Sequence, residues 1–230
     1  MHIPDGYLGP PTYIATYAAC APLWGIAARK VRENLDARRG PLLAISAAFS
    51  FLVMMFNVPL PGGSTGHAVG GVLIAISVGP WGAMLSISIA LVIQALLFGD
   101  GGITAIGANC LNIAFVMPFA GYYTYRLLSR AFSSGRGRVL AAGIGGYVGL
   151  NAAAFTTAVM FGIQPLLHTS PDGRALYAPY PLSVAVHAMM LQHMTVIGTV
   201  EALVTGLVVH YLHRSRSAWV LDSPDSGSAR

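Results

Sequence analysis

The stretch His67-Ala-Val-Gly-Gly-Val-Leu-Ile-Ala-Ile-Ser-Val-Gly-Pro80 is apolar, uncharged and thirteen residues long before its Gly79-Pro80 break. As a helix it would cover ~20 Å of a hydrocarbon core ~30 Å thick. Whether it is a span of its own, or the beginning of the next one, sets the number and direction of every other span. It lies within a run from Gly40 to Gly99 that carries no charge at all. Over the 230 residues, 55% are hydrophobic, only 9% are charged and the mean hydropathy is +0.64. A soluble domain carries about 25% charged residues. The composition therefore excludes a soluble globule, a disordered chain and a collagen-like rod, and points to an all-α integral membrane protein.

Outward from this stretch, the apolar segments between breakers cover 11–28, 41–57, 67–79, 81–98, 103–128, 139–162 and 182–213. The basic residues decide how to count them. Of thirteen Lys and Arg, five fall in 29–39, four in 126–138 and three in the tail (Arg214, Arg216, Arg230), while Arg174 stands alone. Put loop 29–39 in the cytoplasm and count 67–79 as a span with a tight turn at Gly79-Pro80. Loop 126–138 and the tail then face the cytoplasm too, with twelve of the thirteen basic residues inside. Merging the third and fourth segments would send loop 126–138 outside. The expectation is seven transmembrane helices, N-terminus outside and C-terminus cytoplasmic. Residues 1–213 form one membrane-embedded domain, and 214–230 form a disordered cytoplasmic tail. The short third helix, capped by Ser64 or Thr65 and beginning near His67, needs protein or a cavity around its ends.

Other classes drop out. The charges sit in loops and not on an aromatic-bearing face, which excludes nucleic acid. Cys20 and Cys110 lie in apolar segments and form neither a disulfide framework nor a cysteine metal cluster. The opening Met1-His-Ile-Pro-Asp5 lacks the basic start of a signal peptide, so Met1 is expected to stay as the first residue. No GxxxxGK[ST] loop is present, so ATP hydrolysis is not expected of this chain.

The chemistry gathers on the outer side. The Met1 amine, the deprotonated His2 amide and His2 Nδ1 can close a five-membered and a six-membered ring on one ion. Three nitrogens so held are nearly coplanar, and a fourth completes a square that suits Ni(II) or Cu(II). In Pro61-Gly-Gly-Ser-Thr-Gly-His67, three glycines precede a histidine on the same side of the membrane, placed to supply that fourth nitrogen. Taken singly, His2 reads equally as an ordinary N-terminal residue, and His67 as a capping-region residue facing headgroups. Asp5, Asn109 and Asn112 are the expected partners for the far nitrogens of the imidazoles. Asp100, in Gly99-Asp100-Gly-Gly102, reads as a tight turn that draws cations to the outer mouth. Glu201 is the one full charge deep in a span. It is expected to be structural or conformational, towards the cytoplasmic half, bonded to an amide such as Asn109, Asn112 or Asn151. Met189, Met190, His193 and Met194 suggest a soft copper site, but read better as packing. Gly62-Gly-Ser-Thr-Gly66 fits G-x-S-x-G, so an intramembrane serine hydrolase using Ser64 and His67 is a rival. It lacks the required strand-to-helix elbow and any nearby acid.

Met1-His-Ile-Pro-Asp-Gly-Tyr-Leu8 resembles the N-terminus of the CbiM/NikM family, the substrate-binding membrane subunits of nickel and cobalt energy-coupling-factor transporters. Asn57-Val-Pro-Leu-Pro-Gly-Gly-Ser-Thr-Gly-His67 is similar to its second signature. Gln94-Ala-Leu-Leu-Phe-Gly-Asp-Gly-Gly102 with Gly107-Ala-Asn109 and Asn112 is similar to its third. Glu201 falls in a segment like the family's last helix. The resemblance implies a six-helix binding fold with an extra N-terminal helix, and a metal held by Met1, His2 and His67. It also implies a transmembrane coupling subunit and two cytoplasmic ATPases, docked on small residues such as Ala44 and Ala48. A small accessory membrane subunit often accompanies the family, and this chain is expected to end too soon to contain one. The Ile3-Pro4-Asp5 start looks more like nickel members. The chain thus reads as a non-enzymatic nickel-binding subunit, cobalt possible, in a bacterial or archaeal cytoplasmic membrane. Nickel is its substrate and it has no organic cofactor. A cobalt-specific member and a passive cation channel are the further alternatives.

Overall fold

The computed structural model describes residues 1–60, 64–132 and 134–215, with backbone alone at 59, 60, 64 and 65. The first long helix, α1, spans Pro10–Glu33. Prolines at its first positions need no amide partner there, and Lys30 and Arg32 suit the negative end of its dipole. Helix α2 (Arg39–Met55) follows, then a small antiparallel hairpin of β1 (Val58–Leu60) and β2 (Ser64–Gly66). This hairpin and an antiparallel bridge between Thr169 and Ala175 are the extended pairings among the described residues.

Helix α3 covers only Gly71–Val78, and α4 begins at Pro80 and runs to Ile93. The break between them is where proline and glycine demand it: Gly79 has φ 79°, a conformation that disfavours side chains. The start of α3 differs from the expectation. It begins four residues after His67, and Gly70, not Ser64 or Thr65, is the N-cap residue, at φ 70°. Apolarity marks 67–70 as buried but cannot tell extended chain from helix. At eight residues α3 spans ~12 Å, and its residues 71–76 are buried in protein, as a short helix in lipid requires.

Helix α4 widens into a π turn over Gln94–Phe98. The short α5 (Ile106–Asn109) passes through a second π stretch, Cys110–Val116, into α6 (Met117–Ala131). Helix α7 (Gly135–Gly162) is capped by Ser134, whose hydroxyl accepts from the Gly137 amide at 3.0 Å. Helix α8 (Gln164–Leu167) follows, then α9 (Leu182–Gln192), a third π turn (His193–Ile197) and α10 (Gly198–Arg214). Single π turns of this kind recur at functional sites.

Helix α7 is the hub, packed on α6, α9 and α10. Its buried face is mostly glycine and alanine, so backbones approach closely: a Cβ on Gly145 would sit 2.7 Å from the Gly121 carbonyl. Among the described residues, Pro80–Phe98, Gly135–Leu167 and Leu182–Arg214 are long and apolar enough to cross a membrane, and Arg39–Met55 is a shorter apolar helix. Arg214 ends α10; residues 216–230, with Arg216 and Arg230, lie outside the described residues.

Candidate metal centre

The N-terminus turns inward: Met1, Ile3 and Leu8 are buried, while residues 4–7 stay exposed. Ile3 is fully buried and packs with Leu8 against Ala105 and Ala108. Asn109 clamps Ile3 from both sides: its Oδ1 accepts from the Ile3 amide at 2.8 Å and its Nδ2 donates to the Ile3 carbonyl at 3.1 Å. The Gly102 amide donates to the same carbonyl at 2.8 Å. Close passage explains the glycine, because a Cβ on Gly102 would meet the Asp5 backbone at 2.3 Å. These bonds set Met1 inside the protein, 9% exposed.

His2 and His67 then meet. Their ring centroids are 4.7 Å apart. His67 is 2% exposed, and its Nδ1 donates to the Ala68 carbonyl at 3.0 Å. That bond leaves the lone pair on Nε2, which is buried and has no partner. His2 Nδ1 lies 2.8 Å from Asp100 Oδ1, and its Nε2 is likewise buried without a partner. A chelate through His2 Nδ1 requires the ring to turn about Cβ–Cγ, so Asp100 competes for that nitrogen when no ion is present. Among the described residues no three His, Cys, Asp or Glu side chains gather as a metal cluster. A nitrogen site here must draw on the backbone, which the Met1 amine and His2 amide can supply.

The electrostatics favour neutral nitrogens. Burial, opposed by the Asp100 carboxylate, pushes the Met1 amine down to about 6. Burial also lowers His2, against the hydrogen bond it donates to Asp100. Asp100 is held below the usual carboxylate range, chiefly by its bond to His2. The pocket thus presents unprotonated donors with one anion at its edge.

The remaining expected residues separate. Asn109 touches the N-terminal segment. Asp5 does not reach either imidazole: it accepts from the Ile103 amide at 3.1 Å and from the Thr104 amide at 2.8 Å, pinning the loop below. Asn112 turns to Thr157 at 3.1 Å and Met160 at 3.3 Å. Glu201 is not bonded to any of the three asparagines, nor is it remote from the site. Its Oε2 accepts from the Val69 amide at 2.8 Å and the Gly70 amide at 3.1 Å, two and three residues past His67. Two groups were missed. Asp100 pairs with His2, a role its position between glycines on the Met1 side hinted at. His193, read as packing, is 1% exposed, donates from Nδ1 to the Met189 carbonyl, and keeps a buried, unpartnered Nε2 within electrostatic reach of the Met1 amine and His67. A π turn starting at His193 was the missing signal. The hydrolase geometry is not met: Ser64 lies in β2, seven residues before α3 begins at Gly71, and His67 Nδ1 bonds a backbone carbonyl and not a carboxylate. The Ser64 side chain itself lies outside the described residues.

Asp100→Asn tests the edge charge. An ion bound to a deprotonated amide keeps a positive charge that Asp100 offsets. Nickel affinity, followed by competition titration, is expected to fall about 10–100-fold.

Fold and site together define a helical membrane protein that buries its own N-terminus beside a pair of imidazoles. The chain belongs to the CbiM family, described as the cobalt uptake substrate-specific transmembrane region, whose profile matches residues 2–219. It is 53% identical over 94% of its length to the fused nickel transport protein NikMN of Rhodobacter capsulatus, of which it spans 62%. It is 49% identical to a protein of Methanocaldococcus jannaschii named for metal transport, covering 94% of this chain and 93% of that one. The cobalt transport protein CbiM of Geobacter sulfurreducens is 30% identical over 94% of this chain and 60% of its own length. A solved structure of a truncated transition metal transporter superposes with a TM-score of 0.89 at 53% identity, over 93% of this chain and 99% of that one.

Proposed function

We propose that this chain is the metal-binding membrane subunit of a multi-component uptake transporter, carrying Ni(II), and Co(II) less well, into the cytoplasm. The observation that carries this reading is the buried, unpartnered His67 Nε2, with the His2 ring centroid 4.7 Å from the His67 ring and the buried Met1 amine close by. An unpaired buried polar atom is costly, and an ion that takes the His67 Nε2 lone pair removes that cost. The donors are the Met1 amine, the His2 amide and, once its ring has turned, Nδ1, and His67 Nε2. Four nitrogens in a plane favour nickel over cobalt. Higher identity to a protein named for nickel than to one named for cobalt supports the same choice.

In this reading the chain crosses the cytoplasmic membrane seven times, N-terminus outside, with α3 as a sheltered short span. Nickel enters from the outer face, and a coupling subunit with two ATPases drives its release inside. Ala44 and Ala48 are both exposed on α2 and line an apolar groove of about 700 Å³ against Leu85, Ile89 and Phe98, a face suited to close helix docking. The test is uptake into vesicles holding the chain with coupling subunit and ATPases. Nickel accumulation is expected only with active ATPases, and accumulation with inactivated ATPases would mean a channel. Ala48→Leu is expected to keep nickel on the purified chain and to cut uptake at least about tenfold, because a bulky side chain blocks close helix contact.

A further inference from the structure

We propose that Glu201 is a positioning residue that aims His67 at the metal through a single peptide group. The inference rests on the nickel reading above. The Ala68 carbonyl and the Val69 amide belong to one planar peptide unit. His67 Nδ1 donates to that carbonyl at 3.0 Å, and that amide donates to Glu201 Oε2 at 2.8 Å. The result is a relay from carboxylate to peptide to imidazole. Metal-bound histidines are commonly oriented by a carboxylate or a carbonyl on the far ring nitrogen. Here both appear in series, and hydrogen bonds in such a chain strengthen one another in a low-dielectric interior. Electron density pushed towards His67 Nε2 makes it the better donor.

The backbone that follows the relay is also held. The Val69 carbonyl accepts from the Ser50 hydroxyl on α2 at 3.0 Å. The Gly70 amide gives Glu201 its second bond at 3.1 Å. Gly70 is at φ 70°, and a Cβ there would lie 2.3 Å from the Phe49 ring, so segment 67–70 has little freedom of its own. Glu201 is fully buried on α10, and its Oε2 faces the amides that lead into α3, at the positive end of that helix's dipole. The last helix thereby controls the direction of a ligand 134 positions earlier in the chain.

A double-mutant cycle tests this on the purified chain with nickel alone as probe. Glu201→Ala and Glu201→Gln are each expected to lower nickel affinity about 10–100-fold. The glutamine keeps the volume and carries the test if the alanine variant fails to fold, as judged by thermal unfolding. His67→Ala is expected to lose at least as much. The doubly substituted chain, with His67→Ala added, should bind as His67→Ala alone, because Glu201 acts only through His67. At saturating nickel, the ligand-field absorption band of the Glu201 variants should move to longer wavelength, as in His67→Ala, where a nitrogen is lost from the plane. Losses that add, or an unmoved band, would overturn the relay while leaving the nickel site standing. Unchanged affinity in His67→Ala would instead overturn the nickel site and the relay with it.

Discussion

A chain carrying three additional residues ahead of Met1 is expected to lose its nickel. The amine, one amide and an imidazole close two fused rings only when the imidazole belongs to the second residue. A single added residue would rebuild a chelate through its own amine, two amides and His2 Nδ1, whereas three turn the Met1 amine into an amide and carry the new amine out of reach of the ring. The pocket cannot absorb the change: Met1 is 9% exposed and Ile3 fully buried, and Asn109 fixes the Ile3 backbone at 2.8 and 3.1 Å. The whole loss of a multidentate set is at least about a thousandfold in affinity, ~4 kcal/mol at 1.4 kcal/mol per decade. After nickel loading and desalting, elemental mass spectrometry should find close to one ion per native chain and almost none on the extended one. Equal metal in both would remove the N-terminus from the ligand set and leave His67 and His193 as the nitrogens around which a site must be built.

How much of this was legible beforehand depends on the distance over which each feature acts. Apolar runs and loop charges are local, so the helical segments could be read from hydropathy, and the Gly79-Pro80 break is announced by its own residues. The start of α3 was misread because 67–70 is as apolar as the helix that follows, and only the Gly70-Gly71 pair hints at a change of conformation. The proposed chelate can be framed from sequence because its geometry is covalent, set by where histidine stands relative to the amine. Asp100 and Glu201 were not legible. Their bonds to His2 and to the Val69 amide join residues 98 and 132 positions apart, and such pairings come from helix packing, not from local pattern. Asp5 was assigned to the imidazoles for its nearness in sequence. It instead anchors the Ile103–Thr104 backbone, because a carboxylate with unbonded amides in front of it takes those first.

Nickel affinity is expected to depend on pH with a change of slope near 6. Binding through the His2 amide releases its proton at every pH, so affinity rises about tenfold per unit even where all other donors are neutral. Below the pKa of the Met1 amine a second proton must leave, and the slope doubles to about a hundredfold per unit. An amine in water titrates near 8.0; burial brings this one to about 6, with Asp100 pulling the other way. The sign follows: acid weakens binding, and the steep region lies below 6, not below 8. Burial lowers His2 as well, which works in the same direction. The measurement is competition against a chelator of known proton stoichiometry from pH 5 to 8.5. A break near 8 would show that the amine is solvated and not seated in the pocket. Asp100→Asn sharpens the argument, because removing the one anion that raises the amine should move the break to still lower pH while weakening binding throughout. Those two shifts oppose each other in the acid range, and they can coincide in one variant only if the carboxylate faces both the amine and the ion.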